Sequence, residues 1–264
     1  MTVLTGPQRV RYPLVPRRAQ VVRLTSLGAR MRRVTFRLSD RDPPIPWVTR
    51  AVADHVKLVL PDPLDGLVRL PEVVDDRIQR STTFPQMTTR DYTVRAVPDD
   101  RHVVVDMIAH GSGPASTWLA GAKTGAEVGL LGPRGSRVEP AAPAYVVLVD
   151  ETGIPAASRL VEEAPRESAV TAVVQIFDAE GMVDLPARPG VDIHWLLGTA
   201  THTLAAQLRV LAPLKRTTLV WAAGETGAMR ALRHAATEVG LTPEQQRIDG
   251  YFRWGASDFD HHAP

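Results

Sequence analysis

Cysteine is absent from this sequence, and aromatic residues are scarce. Among 264 residues there is no cysteine, and Phe, Trp and Tyr together make up 5%. The lack of cysteine excludes disulfide bonds, thiolate metal sites, cysteine-ligated iron–sulfur clusters and a cysteine nucleophile. Any redox chemistry must therefore come from a bound cofactor, because the remaining side chains carry hydrides and electrons poorly.

A long hydrophobic run and a strong excess of one charge are also missing. No stretch approaches the roughly 18 uninterrupted apolar residues of a membrane span, and the N-terminus lacks the apolar core of a signal peptide. Lys and Arg number 31 against 29 Asp and Glu, a balance that does not indicate nucleic-acid binding. We therefore expect a cytoplasmic protein with no nucleic-acid partner and no stable membrane association.

The first half of the chain has the pattern of short antiparallel strands. β-Branched apolar runs alternate with Gly, Pro and Asp, which is typical of a barrel or sandwich. The strands are predicted at 20–24, 33–38, 55–60, 92–97, 102–108 and 127–131. A short helix is predicted at 115–122, after Pro114, whose missing N–H costs nothing at a helix start. These elements predict an antiparallel barrel domain over 17–139.

The second half has continuous apolar strands separated by helices. Strands are predicted at 145–149, 169–177, 193–197, 217–222 and 247–251, with helices at 154–163, 204–211 and 228–239. Continuous rather than alternating strands favour a parallel sheet covered on both faces. We therefore predict a parallel-sheet nucleotide-binding domain over 144–256, joined to the barrel by a linker at 140–143.

The polar, proline-containing segment 69–89 interrupts the barrel pattern. Long segments without regular structure are either functional loops or disordered insertions. The sequence leaves both alternatives open for this segment.

Residues 90–95, R-D-Y-T-V-R, combine the residue types that a flavin site needs. Arginine grips phosphate with a planar fork, and residues two apart in a strand share one face. We expect Arg90 and Tyr92 on one side and Thr93 on the other, unless the strand bends. They would supply a phosphate anchor, an aromatic group and a hydroxyl, although an ordinary surface pair of Arg and Tyr is the alternative.

Residues 110–118, H-G-S-G-P-A-S-T-W, lie between a predicted strand and the short helix. Glycine allows a ligand to approach the backbone, and free N–H groups at a helix start favour phosphate. A tight turn with ordinary capping is the alternative. The predicted cofactor-binding residues of this segment and the strand before it are Asp106, His110, Gly113, Pro114, Ala115, Ser116 and Trp118.

Two further segments, D-E-T-G-I-P at 150–155 and W-A-A-G-E at 221–225, lie at the ends of predicted parallel strands. Ligands of open α/β sheets bind outside the carboxyl ends of the strands. No G-x-G-x-x-G occurs, and simple strand-to-helix turns are the alternative. The predicted nucleotide-binding residues are Asp150, Thr152, Gly224 and Glu225.

The segment G-Y-F-R-W-G at 250–255 concentrates three aromatic residues near the C-terminus. Core packing and stacking near a flavin are both compatible with this cluster, and Tyr251 is the candidate for cofactor contact. The histidines have no metal-ligand spacing, so we predict no metal held by the protein itself.

In their order and spacing, these segments resemble the siderophore-interacting protein family of the ferredoxin-reductase-like superfamily. R-D-Y-T-V-R resembles the family's R-x-Y-T-x-R flavin motif, and residues 110–118 resemble its second FAD segment. The turns at 150–152 and 223–225 resemble its two nucleotide-facing turns, and 250–253 resembles its terminal G-Y-W-R. The resemblance covers about residues 19–256.

The resemblance implies noncovalent FAD, with NADH, NADPH or a reduced ferredoxin as electron donor. It implies that Arg90 holds the FAD phosphates, that Tyr92 stacks on the isoalloxazine and that Thr93 bonds near its reactive nitrogen. Tyr92 and Thr93 are therefore the catalytic candidates, while Thr152 and Glu225 line the nicotinamide side. The implied function is reduction of a ferric siderophore, which releases Fe(II) in the cytoplasm.

Two other functions remain open: a general flavin-dependent reductase with a different acceptor, and a flavin- or siderophore-binding module without catalysis. NADH and NADPH are not distinguished, because Arg159 and Asp178 near the predicted adenosine end have opposite preferences. Arg80, with Arg90 and Arg95, is predicted to form a basic rim for an anionic ferric chelate.

Overall fold

The chain forms two compact units that divide between Val138 and Glu139. In this computed structural model, the described residues are Leu4 and the ranges 6–79, 87–109 and 113–255. One unit contains Gln8–Val138, and the other contains residues 139–255 together with the described residues before Gln8.

The first unit is a closed antiparallel barrel with one helix. Its barrel strands follow the order β2-β3-β8-β7-β4-β9, which confirms the antiparallel barrel predicted from the sequence. The elements of this unit are β1 (Gln8–Arg11), β2 (Pro16–Ser26), β3 (Met31–Leu38), β4 (His55–Val59), β5 (Val73–Val74), β6 (Arg77–Ile78), β7 (Thr89–Asp99), β8 (His102–Ile108), α1 (Pro114–Gly121), β9 (Glu127–Leu131) and β10 (Gly135–Val138).

The barrel interior is filled by alternate apolar residues of its strands. Val34 and Phe36 of β3, together with Val103 and Val105 of β8, have no exposed surface. Inward residues recur at every second position because successive strand side chains point to opposite faces. Helix α1 packs Ala115 and Leu119 against this core. Its Trp118 stacks on Phe36 with ring centroids 6.4 Å apart.

Strand β7 carries an irregularity directly after the predicted flavin segment. Val94 pairs with Val105 and Ala96 pairs with Val104, so Arg95 is an extra residue in the ladder. Such a bulge bends a strand and re-aims side chains, which is why bulges are frequent beside functional sites. The alternation over residues 90–94 is therefore not continued at Arg95.

Two small pairings were not predicted from the sequence. Strand β1 pairs with β10, and β5 pairs with β6 as a two-residue hairpin inside the segment expected to lack regular structure. Asp75 and Asp76 form the turn of this hairpin with positive φ, a conformation that Asp tolerates better than most residues. Elements this short leave too few residues for a period to be read.

The second unit is a five-stranded, fully parallel sheet with order β13-β12-β11-β14-β15, as the continuous apolar strands predicted. Because β14 returns beside β11, the strand order reverses between these two strands, and ligands of such sheets bind at that point. The elements are β11 (Ala144–Asp150), α2 (Ile154–Glu163), β12 (Ala169–Ile176), β13 (Val191–Leu197), α3 (Thr203–Leu211), β14 (Thr218–Glu225), α4 (Thr226–Glu238) and β15 (Gln246–Phe252).

Helices cover both faces of this sheet. Helices α3 and α4 pack Leu208, Met229 and Leu232 against one face, and these side chains have no exposed surface. On α2, every residue from Ile154 to Val161 is buried. The two faces of the sheet are therefore covered by helices, and the ends of its strands are the places left for a ligand.

A buried ion pair within the second unit joins Glu139 to the last strand of the sheet. Arg247 Nε of β15 donates to Glu139 Oε2 at 2.8 Å, and the two side chains are 7% and 4% exposed. Arg247 also donates to the carbonyl oxygen of Gln246 at 2.7 Å. Because both charges are withdrawn from water, either one becomes costly when its partner is removed.

We expect Arg247→Leu to lower the free energy of unfolding by about 3–5 kcal/mol, because Glu139 is then left buried without its cation. The measurement is urea denaturation followed by circular dichroism. The matched control is Arg209→Leu, which breaks the exposed pair between Arg209 and Glu238 and should change stability little. Equal effects of both variants would contradict a special contribution from the buried pair.

Candidate cofactor-binding sites

Strand β7 places the three predicted flavin-contacting residues side by side in the barrel wall. Tyr92 packs against the barrel core and Thr93 is only 8% exposed. Arg90 is half-buried, and its Nη1 donates to the carbonyl oxygen of Thr89 at 2.7 Å. Burial raises the pKa of Tyr92 to about 12, against a smaller lowering by Arg90, so the phenol stays neutral at physiological pH.

The neighbouring strand β4 supplies a positive charge beside this segment. Lys57 Nζ donates to Asp91 Oδ2 at 2.8 Å, and the two residues face each other in the β4–β7 ladder. Cross-strand pairs of opposite charge stabilise a sheet modestly. The pair therefore supports the strand that carries Arg90 and Tyr92.

The start of α1 has the properties of a phosphate-binding helix end. Gly113 precedes the helix with φ +92°, the helix begins at Pro114, and no side chain caps it. Its first turn also contains no acidic residue, while Ala115 and Ser116 are buried there. Uncapped N–H groups and a positive helix end suit an anion. His110, also predicted for this site, lies outside the described residues.

These donors fit the chemical groups of FAD. The barrel unit offers a guanidinium and an uncapped helix start for the two phosphates, and a neutral phenol and a hydroxyl for the ring system. Arg90, Tyr92, Thr93, Gly113, Pro114, Ala115, Ser116 and Trp118 therefore remain predicted FAD-binding residues.

Asp106 and Arg95 form a buried cluster with a third residue that the sequence did not suggest. Arg33 donates to both carboxylate oxygens of Asp106, at 2.7 and 2.8 Å. Arg95 Nε lies 3.8 Å from Asp106 Oδ2, and the Arg95 side chain is 10% exposed. Arg95 thus adds little exposed charge to the predicted basic rim, and Arg80 lies outside the described residues. The predicted cofactor contact of Asp106 stays a prediction.

In the second unit, Asp150 connects the ends of β11 and β14. Its Oδ1 accepts from the Thr152 backbone N–H at 2.9 Å and from Thr152 Oγ1 at 2.6 Å. Its Oδ2 accepts from the Glu225 backbone N–H at 2.7 Å. A side chain at Gly224 would collide with this carboxylate, because its Cβ would overlap Asp150 Oδ2 and lie 2.6 Å from Asp150 Cγ. Glycine is required there by space.

Burial raises the pKa of Asp150 to about 6, although its hydrogen bonds to Thr152 and Glu225 lower it and the neighbouring Glu151 raises it slightly. Desolvation disfavours the charged carboxylate more than the three donors favour it. Asp150 is therefore partly protonated near neutral pH, at the point where the strand order of the sheet reverses.

Other carboxylates also accept hydrogen bonds from backbone N–H groups at this edge of the sheet. Glu225 Oε2 accepts from the Ala228 N–H at 2.9 Å, which caps α4. Glu151 Oε1 accepts from the Phe177 N–H at 2.9 Å and so joins the end of β12 to the turn after β11. Glu151 was not predicted as a site residue, because only the strand order brings it to Phe177.

The turn after β11 is packed from beneath by Val149. A Cβ at Gly153 would lie 2.7 Å from Val149 Cβ and 2.9 Å from the Ala223 carbonyl oxygen, so this turn accepts only glycine. Val149 itself is fully buried. The Val149 side chain therefore packs beneath this turn. Tyr251, on β15, is half-buried, and its predicted cofactor contact stays a prediction.

The described residues contain neither a helix that could span a membrane nor a cluster of metal ligands. None of the helices in the described ranges has the length and apolar character needed to cross a bilayer. Likewise, among residues 6–79, 87–109 and 113–255, no group of three or more His, Asp or Glu side chains is arranged to hold a metal ion.

A closed antiparallel barrel followed by a parallel sheet whose order reverses at its centre defines the ferredoxin-reductase-like class. The ferredoxin reductase of carbazole 1,9a-dioxygenase has this fold, with a TM-score of 0.68 and 17% sequence identity over 91% of this chain and 70% of its own. Similarity at this level of identity concerns the fold alone.

The chain belongs to the siderophore-interacting protein family. The family's sequence pattern described as siderophore-interacting FAD-binding domain matches residues 20–137, and the pattern described as siderophore-interacting protein matches residues 142–255. The solved structure of a siderophore utilization protein from T. fusca is 39% identical, covers 97% of this chain and all of its own, and superposes with a TM-score of 0.86.

A curated relative from Escherichia coli (strain K12) is named NADPH-dependent ferric-chelate reductase. It is 29% identical over 252 residues, which span 93% of this chain and 96% of the relative.

The raised pKa of Asp150 leads to a prediction about stability. A carboxyl group with a folded pKa of about 6 and an ordinary value of 3.8 stabilises the fold fully below the ordinary value. This contribution is lost as the pH rises through the folded value. Relative to Asp150→Asn, we expect the wild type to lose about 2–3 kcal/mol of unfolding free energy between about pH 4 and pH 8.

The measurement is urea denaturation of both proteins across this pH range, because the difference between them cancels the other titrating groups. A difference that does not change with pH would show that Asp150 titrates normally.

Proposed function

We propose that this protein is an FAD-dependent reductase of ferric siderophores that takes electrons from NADH or NADPH. The observation that carries the proposal is the combination, within the barrel unit, of Arg90, Tyr92 and Thr93 on β7 with a start of α1 that has no side-chain cap and no acidic residue. Family membership and the E. coli relative's name support it. The proposed place of the reaction is the cytoplasm, where reduced nicotinamide nucleotides are made.

The chain's own residues would hold FAD by contacts of different kinds. Arg90 would bind the phosphates through its planar fork, assisted by the N–H groups at the start of α1. Tyr92 would lie against the ring system as a neutral aromatic surface, and the Thr93 hydroxyl would hydrogen-bond at its reactive edge. Since Thr93 is only 8% exposed, this hydroxyl is shielded from bulk water.

When bound, FAD supplies the conversion of one hydride into two single electrons, so that one NADH or NADPH reduces two Fe(III) ions and releases one proton. Iron is a substrate in this scheme. The chain has no cysteine, and its described residues contain no metal-ligand cluster, so iron would arrive and leave within its chelator. Fe(II) is then released, because the chelator binds it weakly.

A general flavin-dependent reductase with another acceptor is the second candidate. Within the described residues, Arg95 of the predicted basic rim is nearly buried beside Asp106. Fewer exposed cations are therefore available to bind an anionic chelate. Reduced ferredoxin as the donor is a further variant of the proposal.

Arg90 provides the sharpest test of FAD binding. We expect Arg90→Ala to weaken FAD binding roughly ten- to a hundred-fold, because a charge-assisted contact to phosphate is lost. Arg90→Lys should restore part of the affinity, since it keeps the charge but not the fork. The measurement is fluorescence titration of FAD into protein from which flavin has been removed.

The matched control is Arg37→Ala, which removes an exposed arginine near the end of β3 that pairs with Asp40. This variant should bind FAD as the wild type does. Wild-type affinity in Arg90→Ala would contradict the assignment.

The proposed reaction is tested anaerobically. The flavin is reduced with NADH or NADPH, ferric siderophore is added, and Fe(II) is trapped with a chromogenic chelator. We expect two Fe(II) per nucleotide and a slower reaction at high salt, because exposed charges are screened beyond about 8–10 Å at physiological ionic strength. Flavin that is reduced by nucleotide and reoxidised by oxygen or quinone, but by no ferric chelate, would support the general flavin reductase.

A further inference from the structure

Strands β4 and β7 place a histidine directly opposite Thr93. His55 and Thr93 are partners in the antiparallel ladder, and opposite partners lie about 5 Å apart at Cβ. The next pair along that face is Lys57 and Asp91, whose Nζ and Oδ2 atoms are 2.8 Å apart. Val56, between the two β4 residues, is fully buried in the barrel core. Because residues two apart in a strand share a face, His55 and Thr93 lie on the outer face of the barrel with this ion pair.

Hydrogen bonds hold the start of β4 beside Thr93. The Asp54 carbonyl oxygen accepts from the Val94 backbone N–H at 2.8 Å. The Asp54 side chain accepts from Ser136 Oγ at 2.5 Å, and both of these side chains are buried. The backbone on either side of the His55–Thr93 pair is therefore fixed.

We propose that His55 takes up the proton that leaves the reactive edge of the flavin, with the Thr93 hydroxyl between them. The inference rests on the proposed function in one respect, namely that Thr93 lies at that edge of a bound FAD. It adds a residue that acts through Thr93, and it adds the route by which the proton of the reaction leaves the site.

The proposed reaction needs a proton acceptor at this edge. A hydride brings two electrons and one proton, and once each electron has passed to one Fe(III) ion, the hydrogen has to leave as a proton. Thr93 is only 8% exposed, so bulk water has little access to its hydroxyl. A hydroxyl accepts one hydrogen bond and donates another, so it can receive this proton and pass its own to a base, directly or through one water.

The position of His55 suits the role of this base. Its Nδ1 lies 3.3 Å from the Ala53 carbonyl oxygen. When the hydrogen on Nδ1 is directed to that oxygen, Nε2 is the nitrogen that accepts a proton. His55 is half-buried, so the resulting imidazolium can pass its proton to solvent. The sum is one proton and two Fe(II) ions for each nucleotide oxidised.

The groups next to Thr93 on the same strands are less suited to accept a proton. Burial raises the pKa of the Tyr92 phenol to about 12, so it stays protonated at neutral pH. Asp91 is held in its ion pair with Lys57, and carboxylates ordinarily titrate near pH 4. Imidazoles ordinarily titrate between about pH 5 and 8, so they take up and release protons near neutrality.

The described charged side chains on the elements beside His55 bear on any test that varies the pH. Arginine, lysine and aspartate ordinarily keep one charge state between about pH 5 and 8, whereas imidazole does not. A change of rate in this range that depends on His55 therefore reports on the imidazole. These charged side chains are Asp54 and Lys57 on the segment of His55, Arg90, Asp91 and Arg95 on β7, and Arg134 after β9.

The first test is NMR of the imidazole groups in the FAD-loaded, oxidised protein, with the His55 signals assigned by through-bond correlation. We expect His55 to titrate between about pH 5 and 8 and to carry its neutral-state hydrogen on Nδ1. Thr93→Val, which removes the hydroxyl but keeps the shape, should shift this titration. Thr93→Ser, which keeps a hydroxyl, should restore it.

The second test follows the flavin anaerobically in a stopped-flow instrument, first during reduction by nucleotide and then during reoxidation by a ferric chelate. We expect His55→Gln to slow reoxidation by about a hundredfold, because a positioned base is lost, and to slow reduction much less. The wild-type reoxidation rate should rise between about pH 5 and 8, and this rise should be absent from the variant. Added imidazole should restore part of the rate in His55→Ala.

The matched control is His102→Gln, which removes a histidine that pairs with Asp99 at the other end of the β7–β8 hairpin. It should behave as the wild type in both tests. The NMR comparison with Thr93→Val needs no variant of His55, so it decides the case even if those variants fold poorly.

A reoxidation pH profile that His55→Gln leaves unchanged, or a His55 titration that Thr93→Val leaves unchanged, would overturn the inference while the proposed reductase stands. If the wild type reduces no ferric chelate, the proposed function fails and this inference fails with it.

Discussion

The geometry of the carboxyl-terminal edge of the parallel sheet depends on one carboxylate. Asp150 accepts from Thr152 in its own turn and from the Glu225 backbone 75 residues later, so it joins the two strands between which the sheet order reverses. Gly224 has to be glycine because this carboxylate occupies the space of a side chain. Gly153 has to be glycine because a side chain there would collide with the Val149 side chain and the Ala223 carbonyl oxygen. Without the Asp150 link, neither turn would be held in its present position.

The two units differ in how side chains cap the backbone N–H groups at the starts of their helical turns. In the barrel unit, α1 begins without a side-chain cap and without an acidic residue in its first turn, which suits an anionic ligand. In the sheet unit, Asp150, Asp178 and Glu225 cap the starts of helical turns, and Glu151 takes the Phe177 N–H. The helix α2 lacks such a cap, but its first residues are buried. The start of α1 is therefore better suited to an anionic ligand than the capped turns at this edge of the sheet.

Much of the architecture was predictable because the periodicity of each element is local. The helix at 154–163 and the strands at 102–108 and 127–131 were predicted at their observed bounds. β14 runs on to Glu225, three residues beyond its predicted end, because Ala223, Gly224 and Glu225 continue the ladder with β15. The strand β1 and the β5–β6 hairpin were missed, since elements of two to four residues carry no period.

By itself, the sequence determined the barrel, the parallel sheet and the exclusion of cysteine chemistry, and it predicted the segments that meet the cofactors, because residue type and spacing decide these properties. Only the tertiary structure decided which charges remain available. In the sequence, Arg159 and Arg95 both look like cations that could bind an anionic ligand. In the fold, Arg159 is buried beside Glu163, and Arg95 is nearly buried beside Asp106. Burial and charge pairing depend on residues distant along the chain, and long-range packing alone brings those residues together.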